Sequence, residues 1–357
     1  MDTNRPFILV TGSSGLIGSA VCDRLRESYE VIALDRAGPP QPPEHVRLIE
    51  VDLVSEESVR AACDQAAFQC RNQLAAVIHL AAYYDFSGES SEQYEQVNVR
   101  GTMRLVGALR GIDVGQFLYA SSMLVHAPTE PGKPITEDWP LLPTWDYPRS
   151  KVATETYLRD ECQDMPLAIL RIAGLYDAHC HSIPLAHQIQ RIYERSITSK
   201  VFPGNLSHGQ TFVHLDDVVE AIRLTVERRA RLPPSTTLLI GEPDTMSYGD
   251  LQRAIAHFLH AEEWETSHIP KVMAKVGAWM QETLPLGEDP FIKPWMVDLA
   301  DDHYEVDISR ARTLLGWEPR QQLRQFLPIM LRNFIADPGR WYRDNQLSVP
   351  LHTVLGT

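Results

Sequence analysis

Short apolar runs alternate along the first half of the chain with stretches whose apolar residues recur every three or four positions. The runs are residues 7–10, 31–34, 46–51, 75–80 and 117–120. Each has strand length, and together they predict five strands buried in one sheet. Between them, Leu16, Ala20, Val21 and Leu25 repeat at helical spacing. Ser55 followed by Glu56, Glu57 and Ser58 reads as a capped helix start, and a further helix is expected over residues 92–109. Strand–helix alternation of this kind predicts a doubly wound α/β fold, a parallel sheet with helices on both faces, whose ligands lie beyond the carboxyl ends of the strands. Gly12, Asp35, Asp52, Ala81 and Ser122 then share one rim. Prolines at 39, 40, 42 and 43 mark a stiff surface loop. After a second proline-rich loop, residues 127–144, a helix opens at Tyr147-Pro148 and runs through Leu158, with proline expected at its first position. Tyr147 and Lys151 are one turn apart and so share a face.

The turn after the first strand reads Thr11-Gly12-Ser13-Ser14-Gly15-Leu16-Ile17-Gly18. A strand turning sharply into a helix leaves free backbone N–H groups and the positive end of the helix dipole facing one spot, which suits a pyrophosphate. The second strand ends in Asp35, where a dinucleotide fold places the carboxylate that holds the adenosine ribose hydroxyls. A carboxylate accepts hydrogen bonds from a free 2′-hydroxyl and repels a 2′-phosphate, so Asp35 favours NAD over NADP. Arg36 is the competing signal, since its guanidinium suits a phosphate.

Composition narrows the class. The 357 residues are 44% hydrophobic and 22% charged, enough for one large or two interlocked domains. A formal charge of −14 argues against nucleic acid or anionic membrane as a partner. No apolar run is long enough to span a bilayer and no signal-peptide core is evident, so a cytoplasmic enzyme is expected. The five cysteines are scattered without a C-x-x-C pair and are expected to be free. His179, Cys180, His181 and His187 crowd one loop, yet no carboxylate accompanies them at a recognisable metal spacing, and no metal is expected.

With Thr11-Gly12-x-x-Gly15-x-x-Gly18, Asp35, Asp52-Leu53, His79-Leu80-Ala81-Ala82, Asn98-Val99-Arg100-Gly101-Thr102, Ser121-Ser122 and Tyr147-x-x-x-Lys151 in hand, the chain resembles the extended branch of the short-chain dehydrogenase/reductase superfamily, often labelled NAD-dependent epimerase/dehydratase. Phe212-Val213-His214-Leu215-Asp216-Asp217-Val218, Asp307-Ile308-Ser309-Arg310-Ala311 and Leu315-Gly316-Trp317-Glu318-Pro319 carry the likeness to near the end. The resemblance implies an NAD site formed by Gly12, Ser14, Gly15, Leu16, Ile17, Gly18, Asp35, Arg36, Asp52, Leu53, Leu80, Ala81, Ala82 and Ala120, with Tyr147 and Lys151. It also implies catalysis by Tyr147, Lys151, Ser122 and Asn98. Tyr147 would move the hydroxyl proton, Ser122 would hydrogen-bond the reacting oxygen, Lys151 would bind the nicotinamide ribose, and Asn98 would lie near the cofactor and proton path. A free tyrosine has a pKa near 10, so this chemistry needs positive neighbours. Lys151, the nicotinamide and the helix N-terminus are expected to lower it.

The resemblance departs at the substrate. Nucleotide-sugar epimerases usually carry an asparagine after the strand at 168–173, an arginine just before the strand at 212, and an Arg-x-Gly-Asp stretch before Asp307. Here those places read Gly174-Leu175-Tyr176, Gln210-Thr211 and Leu299-Ala300-Asp301-Asp302-His303-Tyr304. Arginine is the natural bidentate partner of a phosphate, so losing it makes a dianionic substrate costly to hold. Tyr83, Tyr84, Phe86 and Trp145 are apolar instead, with Val272, Met273, Val276, Trp279, Met280, Phe291, Pro294 and Trp295 further on. Tyr83, Tyr84, Ser122, Gly174 and Gln210 are the candidate substrate contacts. The expected activity is hydride transfer between NAD and a secondary alcohol or ketone of a neutral or partly apolar small molecule. The alternatives are a nucleotide-sugar epimerase or dehydratase, and a catalytically silent NAD-sensing protein. The expected organisation is an NAD-binding domain over residues 1–175, with 207–241 returning to it, a substrate lobe over 176–206 and 242–345, and a tail over 346–357. Family dimers pack the helix at Tyr147 and the helix at 92–109 as a four-helix bundle. Val152, Thr156, Leu105, Val106 and Leu109 are the expected seam of a homodimer.

Overall fold

The computed structural model describes residues 5–36, 46–85, 90–274 and 294–348. The loop prolines 39–43, Phe86, Val276, Trp279, Met280 and Phe291 lie outside the described residues.

Seven strands form one parallel sheet: β1 (Phe7–Thr11), β2 (Glu30–Asp35), β3 (Arg47–Glu50), β4 (Ala76–His79), β5 (Phe117–Ser122), β6 (Leu167–Ile172) and β7 (Ser235–Ile240). Their order across the sheet is β7-β6-β5-β4-β1-β2-β3. The order reverses beside β1, and there the carboxyl ends of β1 and β4 open a crevice for a ligand. Helix α1 (Leu16–Leu25) follows β1, α2 (Glu56–Cys70) follows β3, α3 (Arg100–Ala108) precedes β5, and α4 (Asp146–Glu161) precedes β6. Two apolar layers cover the two faces. Ile8, Val10, Ile78, Leu118 and Leu170 point to one, and Leu9, Ile32, Val77, Phe117 and Ile169 to the other, as period-two alternation in a doubly covered sheet requires.

The predicted elements stand with local adjustments. Ser55 caps α2 by accepting from the Ser58 N–H. The helix expected over residues 92–109 begins instead as a wide π-helical turn, Tyr94–Val99, before α3. Helix α4 starts one residue before Tyr147, which places Pro148 third rather than first. The cost is small, because the N–H that proline lacks would have had no intrahelical acceptor anywhere in a helix's first turn.

A mostly helical lobe stands over the carboxyl rim. It comprises α5 (Ile183–Tyr193), α7 (Tyr248–His260), α10 (Leu323–Ala336) and α11 (Pro338–Asp344), packed on a third apolar cluster that includes Leu185, Ile189, Leu251, Phe334 and Trp341. Helix α6 (Leu215–Glu227) instead packs on the sheet beside α1, α8 (Pro294–Leu299) precedes a short return to the rim, and α9 (Ser309–Leu315) joins the first layer. The five cysteines are free and buried. Among the described residues no helix is long and apolar enough to cross a membrane.

The expected seam is corrected here. Leu105, Val106 and Leu109 are buried in the layer between α3 and the chain's own sheet. Of the expected residues Thr156 is exposed and Val152 half-buried on α4, and the outward face of the α3–α4 pair adds Met103, Gly107 and Ala153 to them.

Candidate active site

The glycine turn is built for close approach. Gly12 sits at φ +67°, a conformation costly for any other residue. A Cβ at Gly18 would overlap the Gly12 carbonyl, so α1 reaches the turn only because position 18 has no side chain. Asp35, at the end of β2, accepts from the Ser14 N–H at 2.7 Å and from the Arg36 N–H at 2.8 Å. It thereby stands directly over the turn, with further lone pairs on both oxygens, while Arg36 is exposed. The Ser14 hydroxyl is buried with no hydrogen-bond partner. A cradle that excludes side chains, an orphaned hydroxyl and a carboxylate at its edge together fit the diphosphate and ribose of a dinucleotide. Asp52 is exposed and accepts from the Val54 N–H, and Leu53 is buried against Gly101.

From this turn a cavity of about 840 Å³ runs along the rim and under the helical lobe. Leu16, Ile17, Leu80, Ala82 and Ala120 line its near end, and Ser122, Tyr147 and Lys151 its middle. Ser122 lies beside Tyr147, close enough to favour the charged form of the phenol. Lys151 is buried, donates to the Ala120 carbonyl at 2.7 Å and lies 5.6 Å from the centre of the Tyr147 ring. Burial lowers the Lys151 pKa to about 8 against the pull of Glu155, which leaves it a cation at neutral pH. The three residues come from two elements, β5 and the first turns of α4, whose adjacency the sequence spacing alone does not reveal.

Beneath them lies a buried ion pair. Glu155, one turn beyond Lys151, accepts from Ser121 at 2.5 Å and from Arg171 on β6 at 2.7 Å. Arg171 also donates to the Glu137 carbonyl at 2.8 Å. The pair fixes α4 against the ends of β5 and β6, and so fixes Tyr147 relative to Ser122.

Four expectations are corrected. First, burial raises the Tyr147 pKa above its ordinary value, and nearby Ser122 opposes this only in part. The lysine charge faces the ring, 5.6 Å from its centre. Second, Asn98 is absent from the cavity wall. Its amide nitrogen donates to the Tyr83 carbonyl and the Ser150 hydroxyl, and its amide oxygen accepts from the Tyr83 N–H at 2.6 Å. Third, Tyr83 turns away from the cavity against Tyr94 and Asp85. Tyr84 is the one that reaches it, edge-on to Tyr147 at 4.7 Å. Fourth, the cavity does have an arginine. Gln210 and Gly174 line it as expected, but so does Arg191 of α5, together with Gln188, Tyr248 and Asp302. Pro184, Gln188 and Arg191 recur at helical spacing beside the apolar stripe of Leu185, Ile189 and Ile192. In a sequence that pattern reads as a solvated face.

The histidine-rich loop is a tight turn tied by one carboxylate. Asp177 accepts from the His179 N–H at 2.8 Å and pairs with His181 at 2.7 Å. Among the described residues no cluster of side chains suits a metal ion.

This arrangement has relatives. A family model described as the NAD dependent epimerase/dehydratase family matches residues 8–241. UDP-glucose 4-epimerase of Streptomyces lividans is 30% identical over 338 residues, 87% of this chain and 91% of that one. dTDP-L-rhamnose 4-epimerase of Burkholderia thailandensis is 27% identical over 367 residues, 89% of this chain and 92% of the other. Among solved structures, UDP-glucose 4-epimerase of Thermotoga maritima with UDP-glucose shares the fold, with a TM-score of 0.69 and 21% identity over 92% of this chain and 99% of that one.

Proposed function

The chain belongs to the NAD dependent epimerase/dehydratase family, and from that premise we propose that it transfers a hydride between NAD and a secondary alcohol or ketone bound in the 840 Å³ cavity. The observation that carries this reading is the joint placement of Ser122, Tyr147 and Lys151 in one wall between the glycine turn and the helical lobe. Gly12, Ser14 and Gly18 would seat the diphosphate, with Asp35 holding the adenosine ribose. When bound, NAD supplies the hydride acceptor and a positive charge inside an apolar pocket. Tyr147 holds or releases the hydroxyl proton, and Ser122, beside it in the same wall, hydrogen-bonds the reacting oxygen. Lys151, a buried cation 5.6 Å from the centre of the Tyr147 ring, would hold the nicotinamide ribose. Tyr84 and Trp145 flank Tyr147, and their rings exclude water from the proton.

A second reading, in which the hydride returns to the same substrate as in a nucleotide-sugar epimerase, is favoured by Arg191 in the cavity and by the epimerase relatives. We also read the sheet-centred residues 1–175 and 207–241 as the cofactor domain, and 176–206 with 242–345 as the substrate lobe. A cytoplasmic homodimer, joined through the outward face of α3 and α4, completes the proposal.

The test is Tyr147→Phe, assayed for NADH formation with secondary alcohols and for interconversion of UDP-glucose and UDP-galactose. The variant keeps the ring and its packing, so it should bind NAD normally and lose turnover by about 10²- to 10⁴-fold. Turnover near that of the parent would remove Tyr147 from the reaction.

A further inference from the structure

The helical lobe places an arginine where its charge has no counterpart. Arg191 points from α5 into the far part of the cavity, and its Nε is buried without a hydrogen-bond partner. Its guanidinium makes no ion pair within the described residues, whereas Arg195 in the next turn is held at 2.9 Å by Glu262. Burial lowers the Arg191 pKa to about 10 with no carboxylate offsetting it. Arg191 as a whole is half-buried, but a guanidinium whose Nε is sealed from water without a partner is costly, and a fold retains one when something outside the chain completes it. Two carboxylates also reach the cavity wall, Asp302 and Asp344. Asp344 is bound to Arg340, and burial raises Asp302 to about 6. Neither neutralises Arg191.

We propose that Arg191 is the anchor for an oxyanion group of the substrate, doing from α5 what Gln210 cannot do from the rim. The proposal rests on the reading of this cavity as the substrate site. A guanidinium presents two parallel donors that match a phosphate or a carboxylate. With Ser122 and Tyr147 at one end of the cavity and Arg191 in the lobe, the anion lies on the part of the substrate remote from the reacting alcohol. Binding energy gained there helps hold the alcohol against Tyr147.

Calorimetry on the NAD-loaded protein tests this with UDP, UDP-glucose, glucuronate and neutral uridine. The expected result is binding of at least one anionic probe, weakened about 10- to 100-fold in Arg191→Gln and restored in part in Arg191→Lys. NAD affinity should be unchanged in both variants. Binding of UDP without glucuronate identifies a diphosphate, and the converse a carboxylate. Thermal melting provides the second measurement, since removing a half-buried charge that has no counterion should leave the ligand-free Arg191→Gln protein at least as stable as the parent. Probe binding that is equal in parent and Arg191→Gln, or absent in the parent, overturns the proposal, as does a marked fall in melting temperature. The hydride-transfer reading fails separately, through Tyr147→Phe.

Discussion

Asp35 joins two tasks in one side chain. It accepts from the Ser14 N–H and so ties the glycine turn to the end of β2, and the proposed cofactor site gives its remaining lone pairs the adenosine ribose to hold. Asp35→Ala should weaken NAD binding about tenfold, the loss of one or two charge-assisted hydrogen bonds, and narrow the preference over NADP. Titration showing that NADP already binds the parent more tightly would assign the pocket to Arg36. His79 is a second residue whose chemistry is set by its surroundings. It is buried between the Thr11 and Thr102 hydroxyls at 2.6 and 2.8 Å, and burial lowers its pKa from 6.5 to about 3. The folded protein therefore keeps His79 neutral while the unfolded chain protonates it first. Its contribution to stability is present above pH 6.5 and is lost as the pH falls from 6.5 towards 3. An NMR titration of the folded protein should show the His79 ring unprotonated at pH 5, well below the 6.5 of a free ring; protonation near 6.5 would contradict this. Asn98 and Tyr83 show where residue-scale reading fell short. One was a candidate for catalysis and the other for substrate contact, but the two hydrogen-bond each other and neither lines the cavity.

The β1–turn–α1 unit was legible in the sequence because its requirements are local. Gly12 needs a positive φ, and Gly18 needs to have no side chain. Gly18→Ala should push α1 away from the turn, costing about 1–3 kcal/mol in stability by overpacking and weakening NAD binding by more than tenfold. A variant that binds NAD as the parent does would show that the helix can shift without cost. The π-helical turn at Tyr94–Val99 was not legible in the same way. Its carbonyl at Asn98 accepts from the Thr102 and the Thr154 hydroxyls, the second of these on α4. A widened turn that depends on a contact with another helix leaves no periodic mark of its own. The early start of α4 has the same character, because Pro148 is tolerated throughout a first turn and so does not fix where the helix begins.

At the scale of the whole molecule, assembly and specificity both depend on which side of an amphipathic element faces outward. Light scattering at micromolar concentration should give the mass of a dimer. Met103→Glu, which puts a charge on a 41% exposed residue of the outward α3 face, should shift it to monomer. A parent protein that is monomeric throughout would exclude this assembly. The sequence by itself determined the parallel sheet, its ligand-bearing rim, the dinucleotide turn and the Tyr147–Lys151 pair. Each of these is written in short-range terms: strand-length apolar runs, glycines at a fixed spacing, and two side chains one helical turn apart. The sequence also showed that arginine is missing at position 210. What only the tertiary structure decided was which residues of the helical lobe close over that rim. Arg191 and Gln188 border an apolar stripe on α5 and read as solvated until α7, α10 and α11 pack against the other side of that helix. Likewise Leu105, Val106 and Leu109 read equally well as a dimer seam or as core until the sheet takes them. Helical periodicity tells that a face is buried or polar, but the partner that buries it is chosen by contacts between elements far apart in the chain, and those exist only once the chain has folded.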